Sequence, residues 1–221
     1  MPRQFDINQA PPSAPNSSTT PIRYVALGDS YTIGQGISSK DAWPNVLAGH
    51  LKSSGINIEL VANPSRTGWT TQDLINYELP VYVKSKPDFT TLLIGVNDWV
   101  QGGSAGQFRQ NFIAILNAMQ KQLANPQNII VVTIPDFSVT PTGKAFSNGR
   151  DISAGIAEFN AVIAEEAKKK NLPVVDIFQI SKDMGKDSSL IAPDGLHPSA
   201  KEYQEWEKLI YPAALKLLEG K

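Results

Sequence analysis

The chain contains no cysteine and only two histidines, His50 and His197, in 221 residues. The first absence removes thiol nucleophiles, thiolate metal sites and disulfides, and leaves the compartment open. The second, with no His-Glu-x-x-His spacing, leaves no zinc or transition-metal site to expect. No apolar run approaches the roughly 18 residues of a membrane span, so no integral membrane segment is expected. Charge of neither sign dominates: 20 Lys and Arg stand against 21 Asp and Glu. The one basic run, Lys168-Lys169-Lys170, falls at the end of a helical pattern, where it complements the helix dipole. A nucleic-acid partner is therefore not expected.

What is present is ordinary for a globular protein. Hydrophobic residues make up 41% and charged residues 19%, and the length suits one α/β domain with a full-sized core. Residues 1–21 read as a flexible tail rich in Pro, Ser and Thr, and residues 22–221 as a single domain. Such a tail follows a removed signal peptide or lipid anchor in exported proteins, and equally serves as a plain extension. Localisation, cytoplasmic or exported, stays undecided, as does the oligomeric state.

From residue 22 onward, short β-rich runs alternate with longer helical ones. Strands are expected at 24–27, 56–62, 89–94, 129–134 and 174–177. Most are continuous apolar runs, as in parallel strands covered on both faces. The spacing of Phe108, Phe112, Ile115, Leu116, Met119 and Leu123 predicts a helix over 104–124 with Ser104 as N-cap. Ile152, Ile156, Phe159 and Ile163 predict a second over 151–170. Ser199-Ala200-Lys201-Glu202 has the form of a capping box opening the last helix. The alternation predicts a three-layer αβα, doubly wound parallel sheet. In such sheets ligands bind at the carboxyl ends of the strands. Ser30, Asn63 and Gly68, Asn97, Pro135-Asp136, and Asp194 with His197 all fall in loops on that edge.

These residues suit acyl transfer. Serine is a poor nucleophile at its own pKa and needs a base within reach, itself oriented by a carboxylate. Ser30, in Gly28-Asp29-Ser30-Tyr31-Thr32, is the expected nucleophile. The segment is not a Gly-x-Ser-x-Gly elbow, because Thr32 stands at the second glycine position. His197, in Asp194-Gly195-Leu196-His197-Pro198, is the expected general base, and Asp194 can reach round the turn to its other ring nitrogen. Read alone, each segment also fits a plain turn. Asp176 is an alternative acid, though a turn or capping role suits it better, and His50 reads as structural. Asn97 can offer a side-chain amide and Gly68 a backbone N–H to a developing oxyanion.

Together these pieces resemble the SGNH hydrolase family, the GDSL esterases and lipases. Its four name-giving residues match Ser30, Gly68, Asn97 and His197 in order, with Asp194 completing Asp-x-x-His. Tyr31 replaces the leucine of the GDSL motif. The resemblance implies a flavodoxin-like five-stranded sheet of order 2-1-3-4-5 and hydrolysis of an ester or thioester without a cofactor. It also implies an oxyanion hole built from the Ser30 and Gly68 amides and the Asn97 side chain.

Tyr31, Ile33, Trp69, Trp99 and Val100 follow the motifs directly and are expected to line an acyl or aromatic pocket, unless some merely close the core. The expected substrate is a small-molecule or glycan ester. A short- to medium-chain carboxylic ester comes first, then a carbohydrate O-acetyl ester, a lysophospholipid or a thioester. Residues 135–150 are long enough for a lid or rim. A non-catalytic ligand-binding domain on the same scaffold is the rival of a different class.

Overall fold

A computed structural model describes residues 20–219. The expected tail at 1–21 therefore lies almost wholly outside the described residues. Five strands, β1 (Ile22–Gly28), β2 (Ile58–Ala62), β3 (Phe89–Leu93), β4 (Ile129–Val132) and β5 (Val174–Val175), form one sheet. Every pairing is parallel and the order is β2-β1-β3-β4-β5. β3 and β4 are buried along their whole length, which explains why their sequences run apolar without alternation.

Eight α-helical elements accompany the sheet among the described residues: α1 (Ser30–Ile33), α2 (Trp43–Ser53), α3 (Thr71–Asp73), α4 (Leu79–Ser85), α5 (Val96–Val100), α6 (Ala105–Gln122), α7 (Ile152–Lys169) and α8 (Ala200–Leu218). A π-helical stretch, Leu74–Glu78, joins α3 to α4. α2 packs against α8 in one outer layer, and α4, α6 and α7 pack in succession in the other. The expected helices sit one or two residues inside their predicted bounds. Ser104 and Asp151 cap α6 and α7, each side chain accepting an N–H of the first turn. The basic run is absorbed on α7, where Lys169 pairs with Glu165 and Glu166.

Two expectations are adjusted. β5 is only two residues long, because Asp176 leaves the ladder: its Oδ1 accepts the Thr133 hydroxyl at 2.8 Å and the Phe178 N–H at 2.9 Å. Asp176 thus ties the ends of β4 and β5 together. The capping box of α8 is half made. Ser199 Oγ accepts the Glu202 N–H, but the Glu202 carboxylate takes the Trp206 indole N–H at 2.7 Å instead of reaching back.

The core beneath the reaction edge is tightly drawn. A Cβ on Gly28 would sit 2.2 Å from both the Leu93 carbonyl and Thr32 Oγ1. Only glycine lets β1 end against β3 while the chain turns at once into α1.

Candidate active site

Each strand ends in a loop that contributes to one cavity of about 170 Å³, lined by Ser30, Gly68, Asn97, Phe137 and His197 among others. They come from the loops after β1, β2, β3, β4 and β5 respectively, so the topology alone gathers residues up to 167 positions apart (197 − 30).

Ser30 opens α1 immediately after β1. Asp29 is the N-cap: its Oδ1 accepts the Tyr31 N–H at 3.0 Å. As first residue of the helix, Ser30 has a backbone N–H without an intrahelical partner, available to an anion. Ser30 is 5% exposed, while Thr67, Gly68 and Phe146 in the same cavity lining are exposed.

His197 and Asp194 are held by a loop that closes on itself. The Ala192 N–H donates to the His197 carbonyl at 2.7 Å, and Ile191 bridges Pro198. Gly195 takes the left-handed conformation (φ 71°) that the Pro-Asp-Gly turn requires. Asp194 Oδ1 accepts the N–H groups of Leu196 and His197, and Asp194 Oδ2 meets His197 Nδ1 at 2.7 Å. Burial pushes the Asp194 carboxyl up, but these N–H groups and the imidazole outweigh it, and the acid lies below its ordinary range. With Nδ1 committed to the carboxylate, Nε2 is the ring atom left to exchange a proton. Tyr31 sets its ring edge-on to His197, with centroids 5.6 Å apart, and fixes the imidazole from one side.

Asn97 and Gly68 are positioned by a second network. Asn97 Nδ2 donates to the Trp69 carbonyl at 2.8 Å, which orients the amide and leaves its second N–H for a ligand. Gly68 stands at φ 83° with open space where a Cβ would project. Asp98 braces the same loop: its two oxygens accept the Thr71 N–H, at 2.9 Å, and the Thr71 hydroxyl, while Asn111 donates to that hydroxyl. Sequence reading missed Asp98 and Thr71. The signal was adjacency, Asp98 following Asn97 and Thr71 opening α3 two residues after Trp69.

The five residues expected to line a pocket divide. Tyr31 and Val100 line the Ser30 cavity, together with the unforeseen Thr67, Val96, Phe146 and Leu196. Ile33, Trp69 and Trp99 do not. Ile33 and Trp69 line two separate hollows. Trp99 is buried, packed so closely on Gly155 that a Cβ there would lie 1.9 Å from its indole nitrogen.

Residues 135–150 form the far wall. Two 3₁₀ turns, Phe137–Val139 and Gly143–Phe146, bring both phenylalanines to the cavity. Arg150 anchors one end, donating to the carbonyls of Trp99 (2.7 Å) and Val100 (3.1 Å). Thr142 anchors its middle, its N–H and hydroxyl donating to the carbonyls of Gly195 and Asp194. The segment is a fixed rim tying the Asn97 helix to the histidine loop.

Beside Ser30 lie two buried carboxyls, Asp29 and Glu78, to which sequence reading gave no role. Glu78 Oε2 accepts the Gly28 N–H at 3.0 Å, and Glu78 Oε1 and Asp29 Oδ2 have no hydrogen-bond partner among the described residues. Burial pushes Asp29 up to about 8, and it raises Glu78 well above the carboxylate range. Among the described residues no group of three or more His, Cys, Asp or Glu is arranged to hold a metal.

Residues 26–205 match the GDSL-like lipase/acylhydrolase family, and the chain belongs to that family. It is an SGNH-type carboxylic ester hydrolase. No curated protein matches it by sequence. Solved structures share its fold at low identity. A lipase/acylhydrolase from Enterococcus faecalis is 23% identical with a TM-score of 0.72, the match covering 90% of this chain and 98% of that one. The psychrotrophic esterase EstA from Pseudoalteromonas sp. is 20% identical (TM-score 0.70; 90% and 100% covered). Axe2, an acetylxylan esterase from Geobacillus stearothermophilus, is 19% identical (TM-score 0.66; 90% and 95% covered).

Proposed function

We propose that the protein hydrolyses short- to medium-chain carboxylic esters through a Ser30–His197–Asp194 acyl-enzyme mechanism. The observation that carries this reading is the 2.7 Å contact between Asp194 Oδ2 and His197 Nδ1, with the histidine lining the same cavity as Ser30, Gly68 and Asn97. A pure binding domain has no use for that combination.

In this mechanism Ser30 Oγ attacks the acyl carbon while His197 Nε2 takes its proton, and Asp194 stabilises the resulting imidazolium. The tetrahedral oxyanion accepts the N–H groups of Ser30 and Gly68 and the free amide N–H of Asn97. His197 returns the proton to the departing alcohol. Water then attacks the acyl-Ser30 ester by the same route and releases the acid.

Cavity size supports a limited acyl group. Pockets that enclose a whole drug-sized ligand span about 300–1,000 Å³, whereas this one holds about 170 Å³. Val96, Val100, Phe137, Phe146 and Leu196 give it an apolar lining. An acyl chain of a few carbons fits inside, and the leaving group stays outside.

The test is hydrolysis of 4-nitrophenyl esters from acetyl to palmitoyl by the parent and by Ser30→Ala. Loss of turnover in the variant with a maximum at short chains is expected. Equal turnover by both proteins, or by neither, would remove Ser30 from its role and favour the binding-domain alternative.

A further inference from the structure

Outside the cavity, on the far side of the Gly68 loop, lies an open hollow of about 590 Å³ lined by Pro64, Arg66, Trp69, Tyr77 and Val81. Tyr77 is 57% exposed and Val81 40% exposed, among the most exposed large apolar side chains of the described residues. The Trp69 and Tyr77 rings sit 5.5 Å apart at 30°, and the Arg66 guanidinium lies 5.6 Å from the Trp69 ring. Apolar surface left exposed beside a reaction centre marks a binding surface more often than a defect of packing.

Continuity links this hollow to the nucleophile. A second hollow shares Pro64 and Arg66 with it and shares Thr67 with the Ser30 cavity. Ser65, which is 2% exposed, lines this connecting stretch, and its hydroxyl has no hydrogen-bond partner among the described residues. The route therefore passes from an apolar acyl cavity, over a strip carrying Gln35, Asn63, Ser65 and Thr67, onto a two-ring aromatic shelf beside one guanidinium.

We propose that Arg66, Trp69, Tyr77 and Val81 form a leaving-group subsite that takes a saccharide ring of the ester substrate. The proposal rests on the ester-hydrolase reading above. A sugar ring presents a C–H face that packs on aromatic rings, and a periphery of hydroxyls that meets amide, hydroxyl and guanidinium groups. A fatty chain finds no unbroken apolar track here, because the connecting strip is polar. A cationic headgroup finds no carboxylate among the lining residues.

The experiment compares kcat/KM on O-acetylated xylotriose with kcat/KM on 4-nitrophenyl acetate, whose leaving group is too short to follow the strip. The parent, Tyr77→Ala, Tyr77→Phe and Arg66→Ala are assayed side by side. Losing one stacked ring is expected to lower the saccharide-to-aryl ratio about tenfold in Tyr77→Ala, through KM. Tyr77→Phe, which keeps the ring, should restore the ratio to near the parent value. An unchanged ratio in both Tyr77→Ala and Arg66→Ala overturns the subsite. So does a parent that cleaves the aryl ester but not the saccharide, or a Tyr77→Ala variant impaired only on long-chain acyl esters. If the parent cleaves neither ester, the hydrolase reading has failed as well, and this separates the two failures. Tyr77 is exposed, so its truncation does not threaten the fold; near-parent thermal unfolding verifies this.

Discussion

The two histidines make nearly the same bond in different surroundings. His197 Nδ1 meets Asp194 at 2.7 Å, and His50 Nδ1 meets Glu207 at 3.0 Å. His197 is buried in the lining of a cavity that Ser30, Gly68 and Asn97 also line. The His50 side chain is 47% exposed on α2, its ring stacked 3.7 Å from Tyr211 on α8, whose hydroxyl reaches Ser54. A histidine–carboxylate pair is thus not a site in itself. What differs is the surroundings: one imidazole shares a cavity with Ser30, Gly68 and Asn97, and the other lies half exposed between two helices.

The sharpest way to break the comparison is to delete each imidazole. His197→Ala is expected to lower kcat on 4-nitrophenyl acetate by a factor on the order of 10⁴ or more, since triad members act as a unit. His50→Ala should leave kcat within about twofold, as for a surface change away from the site. Comparable losses in the two variants would dissolve the distinction. Next comes Asp194→Asn, which keeps the shape but takes away the charge and lets the wrong tautomer form. A loss on the order of 10³–10⁴ in kcat is expected, with KM little changed. Asn97→Ala removes one oxyanion donor and should cost about 10²–10³. A drop confined to KM in either variant would recast that residue as a substrate-binding group.

Much of this was legible in the sequence because parallel strands confine chemistry to one edge. Ser30, Gly68, Asn97 and His197 each stand in a loop after a different strand, and the order of the sheet brings them together. What stayed hidden depends on contacts between distant segments. Phe146 reaches the cavity because Arg150 and Thr142 clamp its segment to two other loops, and no local pattern announces a clamp. Trp99 stands two residues after Asn97, yet the helical turn of α5 sends its ring towards Gly155 rather than into the cavity. Glu78 reads as an ordinary acidic residue of an amphipathic segment. Only the π-helical stretch at Leu74–Glu78 reveals that it points under Gly28.

That buried acid sharpens the comparison with Asp194, whose carboxyl moves in the opposite direction. Asp194 lies below its ordinary range, so its contribution to stability is present above the unfolded carboxylate value of about 3.9 and fades as acid protonates the folded group. Asp29 is pushed up to about 8 and Glu78 is raised as well. The folded protein therefore retains protons there that the unfolded chain has released. Stability must then fall as pH rises from about 4 towards 8 through Asp29, with Glu78 acting in the same direction, and level off once the folded groups have ionised. Glu78→Gln keeps an acceptor for the Gly28 N–H and removes the titration. Urea unfolding at pH 5, 6, 7 and 8 should show a shallower decline in this variant; parallel curves would mean that Glu78 is already ionised in the folded protein.

The smallest effect belongs to the second histidine and completes the comparison from the stability side. Glu207 is 4% exposed, and among the described residues its recorded partner is His50. The pair joins α2 to α8, the two helices that cover one face of the sheet. Since the imidazole is half exposed, solvent screens the bond, and breaking it should cost about 1 kcal/mol or less. The stacked Tyr211 ring loses a contact of similar size. His50→Ala is therefore expected to lower the urea midpoint slightly at unchanged esterase activity, and His50→Phe, which keeps the stack without the bond, should fall between it and the parent. If His50→Phe matched His50→Ala, the ring contact would contribute nothing and the hydrogen bond to Glu207 would account for the whole loss. If His50→Phe matched the parent, the pair would be held by stacking, and the likeness to His197–Asp194 would be one of distance alone.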